Sequence, residues 1–419
     1  MEYKKITTFT ATLKSFKSYR MHSTEQQKLQ RNIFKLSLFG FFQMFMVIIP
    51  VIVPYWQGLG LTLKEVFMLQ GIFGVALIIF DAPAGYMADI VGRKKSLLVG
   101  TIISALGWQI LWMGSTFTHF AIYELIVGLG LSLQSGCDVA LLYNSLDKLE
   151  LKGRKAGFLG RRLTYSTLGE GIASLLGGAL AGVSLILPAY VNSVVVFIPV
   201  FIAMTIYEPT GQKLDRGSHI ENFRAIGKAL FGHSRLLTYA IINFIFYGFS
   251  TYVAVWSLQP YWKDRGIMVV MFGYLWAANN FAVAIVSRYA HWIEEKVGST
   301  NVVIAISILP IIGYLGMGYA GGLWGLAFTL AFPMCRGLNQ VIFQDAINSR
   351  VPMDIRATTN SIGSLGVRAL FILFGPLIGH VLDVRGSSDM MKVLGYIYFV
   401  GFFAVAIPLL RQRRAFRLD

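Results

Sequence analysis

Charge is scarce in this chain. Only 14% of its 419 residues are Asp, Glu, Lys or Arg, and 55% are hydrophobic, whereas soluble domains run near a quarter charged. The mean hydropathy is +0.60, so most of the chain faces lipid or packed helix rather than water. Cysteine is nearly absent. Cys137 and Cys335 each fall inside an apolar run, which excludes a disulfide framework and any zinc-type ligand spacing. Histidine is limited to six residues, and no Ser/His/Asp or metal-ligating cluster suggests chemistry on a substrate. No phosphate-cradling G-x-x-x-x-G-K-[ST] loop occurs, so ATP does not drive the protein directly. No metal, no cofactor and no enzymatic activity are expected. The first thirty residues hold no apolar run, which excludes a cleavable signal peptide.

Long apolar runs are what the chain does have. A spanning helix needs about 20 apolar residues. Twelve such segments can be read, at 33–57, 65–90, 97–117, 119–146, 157–186, 188–207, 236–262, 268–292, 300–319, 321–349, 357–383 and 389–410. The expected fold class is all-α membrane protein. A basic N-terminal tail (1–32) precedes a six-helix bundle (33–207), a polar linker (208–235), a second six-helix bundle (236–410) and a short basic tail (411–419). Loops on the side opposite the termini are too short to hold a receptor or catalytic domain.

The two bundles share a phrase. Pro54-Tyr55-Trp56 with Gly60 recurs 206 residues later as Pro260-Tyr261-Trp262 with Gly266. The same offset lays Asp89 and Gly92 on Glu295 and Gly298. This points to a duplicated unit whose halves run parallel, one of the plans of secondary transporters, with the substrate site between the halves near mid-membrane. Tyr55, Trp56, Tyr261 and Trp262 read as interfacial belt residues.

The net charge of +16 suggests nucleic acid, but its distribution does not. With the N-terminus cytoplasmic, 29 of the 37 Lys and Arg fall in cytoplasmic segments, five in outer loops and three within spans. That is the positive-inside bias, and it places both termini in the cytoplasm. The basic segments then serve orientation and attraction to anionic membrane lipids. No basic face alternates with stacking aromatics, so no nucleic-acid partner is expected.

The loop after the second span reads Gly85-Tyr-Met-Ala-Asp89-Ile-Val-Gly92-Arg93-Lys94-Lys95. It resembles the signature loop of the major facilitator superfamily, G-x-x-x-D-x-x-G-R-K/R, between the second and third helices. The resemblance extends to the twelve spans, the central linker and the parallel 6+6 repeat. It implies a major facilitator fold that works by alternating access. By the same resemblance Gly85, Asp89, Gly92, Arg93 and Lys94, with the weaker copy at Glu295 and Gly298, form a gate loop that latches the halves when the cavity opens outward. The stretches Asp138 to Leu146 and Arg356 to Ser361, the latter leading to Gly375-Pro376, resemble a bacterial subgroup of drug or metabolite exporters. Two departures stand against proton-driven export. Glu124 occupies the place before Gly128 where such exporters often carry Arg, and Ala173-Ser174 precede Gly177-Gly178 where they often carry Gly-Pro.

Ionisable residues inside spans are expensive and so mark function. The first half carries Asp81, Glu124, Asp138 and Glu170; the second carries Arg288, Arg336, Asp345, Arg368 and His380. This predicts an acidic wall facing a mostly basic one. Glu170 and then Asp81 lead as proton carriers, with Asp138 and Glu124 behind them. Glu124 lies near the outer end of its helix, where it could reach water. Asp138 and Asp345 could instead hold loop arginines such as Arg162 and Arg356. Arg368 and Arg336 are candidate counter-charges or anion ligands, because Arg keeps its proton. Asn243, Tyr247, Tyr252, Trp256 and Gln259 of the seventh span, with Trp276, Asn279 and Asn280 of the eighth, form a polar stripe; Asn243, Tyr247, Trp256, Asn279 and Asn280 are expected to line the cavity for a flat or amphipathic organic solute.

The expected protein is a monomeric secondary transporter of a bacterial-type inner membrane. Its partners are a small organic solute, protons and membrane lipids. Proton-coupled export of a drug-like compound or metabolite is the first reading, and proton-coupled import of an organic nutrient the alternative. A non-transporting sensor or scaffold is the reading from another class.

Overall fold

The computed structural model describes residues 25–209, 235–351 and 356–415, which form helices joined by short turns. Most of both expected tails and of the linker lies outside the described residues. Helix α1 covers 25–43, breaks, and resumes through Ile49–Val51 and Ile52–Gly58. Helices α2 (Leu63–Val91) and α3 (Arg93–Met113) follow. α4 is Phe117–Gln134, resumed at Cys137–Lys148 after left-handed Gly136. α5 is Lys155–Val183, and α6 joins Leu187–Val195 to Ile198–Thr205. α7 (Arg235–Asp264), α8 (Val269–Val297) and α9 (Ser299–Tyr319) open the second half. α10 is the Gly322–Asn348 stretch. α11 and α12 share one run, Arg356–Gly401, divided where Gly386 turns to φ 78°, and α12 continues through Ile407–Ala415.

Nine described stretches are long and apolar enough to cross a membrane, and one of them, Ser361–Gln412, holds both α11 and α12. α1 is interrupted, and α5 carries Glu170 among glycines, so neither offers a long unbroken apolar run. Residues 25–32, expected in the N-terminal tail, are already helical. These polar first turns of α1 are held by the ends of other helices: Asn32 exchanges two hydrogen bonds with the Tyr207 backbone at 2.6 and 2.9 Å, and Glu25 accepts from the Tyr207 hydroxyl at 3.1 Å. Hydropathy cannot see such contacts.

The duplication reaches the level of single bonds. α2 and α8 are both 29 residues long and α3 and α9 both 21, residue for residue at the same offset. Gly92 and Gly298 close α2 and α8 with φ of 107° and 82°, a backbone region that L side chains avoid. The Tyr55 hydroxyl donates to the Leu111 carbonyl at 2.8 Å, and Tyr261 repeats the bond to Met317 at 3.1 Å. This corrects the belt reading of the shared phrase. Tyr55, Trp56, Tyr261 and Trp262 are 3, 0, 0 and 0% exposed. They tie the ends of α1 and α7 into their bundles instead of facing lipid headgroups.

The repeat departs clearly at the first helix. α7 is continuous where α1 breaks around 44–48. There the Val47 N–H leaves its own helix and donates to Asn192 Oδ1 at 2.9 Å. Gly177 of α5 gives the Val47 carbonyl room to approach.

Contacts between halves gather on the side away from the termini, where α1 ends and α2 begins. Gln259 of α7 accepts from Val53 N–H at 3.0 Å and donates to the Ile49 carbonyl at 2.9 Å. Lys263 donates to Gln57 at 3.0 Å. These pairs relate residues at or near the repeat offset, which places them beside the pseudo-two-fold axis. Phe67 of α2 stacks on Phe371 of α11 with centroids 5.5 Å apart. Toward the terminal side the side chains on α2, α5 and α8 are exposed instead: Tyr86 61%, Leu163 53%, Trp292 56%. The contacts that join the halves therefore close the far side.

Asp383 of α11 completes the far-side closure. Its two carboxylate oxygens accept from the free N–H groups of Leu63 and Lys64 at 2.8 and 2.9 Å, at the positive end of α2. Replacing it with Ala is expected to weaken closure by about 1–2 kcal/mol. An impermeant thiol reagent applied to the far side should then label a cysteine placed at Asn279 roughly tenfold faster. Unchanged labelling would mean that Asp383 does not hold this end shut.

Candidate functional site

Midway along the spans, helices α5, α7, α8 and α10 border an open cleft between the halves, about 460 Å³ counted with the solvent at its mouth. Its apolar walls come from Val255, Leu258, Val283, Phe332 and Pro333. Glu170 of α5 enters from the first half. Its Oε1 accepts from Asn280 Nδ2 at 2.8 Å and from Trp276 Nε1 at 3.3 Å, both on α8 of the second half. Glu170 can come this close because α5 and α8 touch through glycine. A Cβ on Gly178 would lie 2.6 Å from the Val270 carbonyl and 2.9 Å from Gly273 backbone atoms. Asn279, one residue before Asn280, bonds its own helix at Leu275 and leaves a buried Oδ1 without a hydrogen-bond partner. Arg336 of α10 also lines the cleft. A wide π turn, Asn339–Phe343, begins immediately after that stretch of α10, a distortion often found at functional sites.

A second group of charges lies beside this cleft. Asp81 of α2 and Arg368 of α11 pair across the halves at 3.7 Å, with both side chains partly exposed. Tyr252 of α7 meets Phe371 edge-on at 4.8 Å and lies within electrostatic reach of Arg368, Glu124 and Arg336. The expected acidic and basic walls thus meet directly at Asp81–Arg368, while Glu170 meets neutral donors.

The other expected residues fall elsewhere. Glu124 does not reach water: it is 4% exposed and accepts from Gln70 Nε2 at 2.8 Å. Asp138 pairs with Arg162 inside the first bundle, the structural partnership that its sequence position allowed. Asp345 is exposed, and the side chain of Arg356 lies outside the described ones. Arg288 and His380 are exposed as well. Asn243 is fully buried and donates to the Val405 carbonyl at 2.9 Å, within a π turn of α12 (Phe402–Ala406) that leaves carbonyls without helical partners. Tyr247 is fully buried among Phe246 and Tyr398. Trp256 is 9% exposed. The stripe therefore divides: Asn279 and Asn280 line the cleft, whereas Asn243 and Tyr247 sit within the second bundle.

The gate loop rests on its own half. Gly85, Asp89 and Glu295 are exposed, and Arg93 is partly exposed. The Glu208 carboxylate lies against Gly92 and accepts from the Lys94 N–H at 3.3 Å, supplying the negative charge that the start of α3 lacks. Sequence reasoning missed Asp383 and Gln70, whose partners lie far away along the chain. Trp276, which the sequence placed on the same stripe as Asn279 and Asn280, joins them in the cleft.

Comparison with known proteins agrees with this architecture. The family model for the Major Facilitator Superfamily matches residues 36–376. An uncharacterized MFS-type transporter of Methanocaldococcus jannaschii is 21% identical over 92% of this chain and 99% of its own length. Multidrug resistance protein 2 of Bacillus subtilis is 23% identical over 89% of this chain and 94% of its own. The crystal structure of nucleoside transporter NupG superposes with a TM-score of 0.76 at 15% identity, over 93% of this chain and all of that one. With a family model spanning most of the sequence and the same helical architecture in solved relatives, this chain belongs to the major facilitator superfamily, a family of membrane transporters rather than enzymes.

Proposed function

We propose that the protein is a proton-coupled secondary transporter that exports a small organic solute from a bacterial-type cytoplasm, with both termini on the cytoplasmic face. The observation that carries this reading is Glu170: a mid-membrane carboxylate in a cleft between the halves, held by Asn280 and Trp276 of the opposite half. No cation lies within ion-pair distance of it among the described residues, so its charge depends on a proton or on what occupies the cleft. Its bonds also span the interface that alternating access must rearrange. Binding, protonation and conformation are thereby linked through one side chain. Export is favoured by similarity to Multidrug resistance protein 2 and to Quinolone resistance protein NorA of Staphylococcus aureus. Import is the second reading, favoured by buried Glu124 where exporters of this type often carry Arg.

The test is solute-linked proton movement in proteoliposomes after a pH jump, with a pool of cationic, neutral and anionic organic solutes. Wild type should show it, and Glu170→Gln should reduce it by more than tenfold. Asp81→Asn, which spares the cleft, should retain most of it. Its direction relative to solute flux separates export from import. Failure of wild type to move protons with any solute would remove the coupled model.

A further inference from the structure

The other charges of the two central groups, and those buried inside the first bundle, are answered. Arg162 has Asp138, Arg368 has Asp81, Glu124 has Gln70, and Glu170 has Asn280 and Trp276. Arg336 is the exception. It lines the central cleft, and among the described residues it makes no ion pair or hydrogen bond. A permanent cation at mid-membrane is costly without a partner, and burial of a guanidinium is ordinarily repaid by a planar anion that accepts two of its N–H groups. The surrounding wall offers apolar surface from Val255, Phe332 and Pro333, and no carboxylate within ion-pair distance. Glu170 lies in the same cleft but is turned to its own two donors.

Resting on the transport reading above, we propose that Arg336 receives an anionic group of the solute itself. The substrate class is then small organic carboxylates, or acids of the same charge and shape, with an apolar body seated on the cleft wall. The anion neutralises Arg336 as it enters, and Glu170 remains free to carry the proton. Arg368 does not serve, because Asp81 already occupies it.

The experiment uses the full-length purified protein and a defined panel: benzoate, 1-naphthoate and indole-3-acetate, each beside its primary amide and its corresponding amine. Binding is read by tryptophan fluorescence and confirmed by the shift in thermal unfolding. At least one carboxylate should bind tenfold or more tightly than its amide and its amine. That preference should vanish in Arg336→Gln, return in part in Arg336→Lys, and survive in Arg288→Gln, which removes an exposed cation outside the cleft. No preference for any carboxylate over its amide, including the case in which nothing in the panel binds, overturns the inference. So does a preference that survives Arg336→Gln in folded protein. Solute-linked proton movement in vesicles is scored separately: if neutral or cationic solutes drive it while carboxylates show no preference, transport stands and the anion site falls.

Discussion

A leucine at Gly178 is expected to hold the protein open on its far side. Gly178 of α5 and Gly273 of α8 face each other across the halves, and the atoms nearest to where a Cβ on Gly178 would lie are backbone: the Val270 carbonyl at 2.6 Å and Gly273 N and Cα at 2.9 Å. Backbone cannot rotate aside as a flexible side chain can. Overpacking a fitted contact costs about 1–3 kcal/mol, and a leucine goes to the upper end. The cost applies only while the far side is shut, so the molecule relieves it by separating the halves there. A bias of that size shifts a two-state equilibrium roughly 5- to 150-fold. Far-side labelling of a cysteine at Asn279 should rise accordingly, and access from the terminal side should fall. The native thiols Cys137 and Cys335 are buried and give a low background. Equal gains in labelling from both sides would indicate loosening instead of a switch and would reject the wedge.

Removing Arg162 is expected to produce the largest loss of stability of any single charge change. Arg162 and Asp138 are paired inside the first bundle with side chains only 11 and 6% exposed. Arg162→Leu leaves the Asp138 carboxylate buried and uncompensated, which costs about 3–5 kcal/mol. The double variant Arg162→Leu with Asp138→Asn removes the orphaned charge and should recover most of that loss in a double-mutant cycle. Asp81→Asn should cost under about 1 kcal/mol, because Asp81 and Arg368 are 38 and 29% exposed and 3.7 Å apart. Thermal unfolding of the purified variants in one detergent measures all three. A double variant as unstable as Arg162→Leu alone would mean that Arg162 acts through packing and not charge.

Much of the fold was legible because it is periodic. The apolar runs placed the helices, and the doubled Pro-Tyr-Trp phrase gave the halves their register, which α2/α8 and α3/α9 keep residue for residue. The same phrase misled about its purpose, since Tyr and Trp read alike as belt or as anchor until their burial is known. The break in α1 was legible only in part. Pro50 cannot donate to the carbonyl of residue 46, and α7 carries Trp256 at the matching place, but the bond of Val47 to Asn192, a partner from a distant segment, was not visible.

Of the site, the sequence by itself determined the inventory: four acids in the first half, mostly cations in the second, and an Asn pair in the eighth span. Hydropathy suffices for that, because a charge within an apolar run is visible wherever it occurs. Tertiary structure alone decided the pairings. It gave Arg368 to Asp81, chose for Asp138 the Arg162 partnership that the sequence had offered as one of two readings, set Asn243 against a carbonyl of α12, and left Arg336 in the cleft with Glu170. Pairing depends on which helix faces meet across the interface, and that follows from the glycine contacts of α5 on α8 and the capping of α2 by Asp383. Those contacts join residues far apart in the chain, Gly178 with Val270 and Leu63 with Asp383, beyond the range over which helical periodicity carries information.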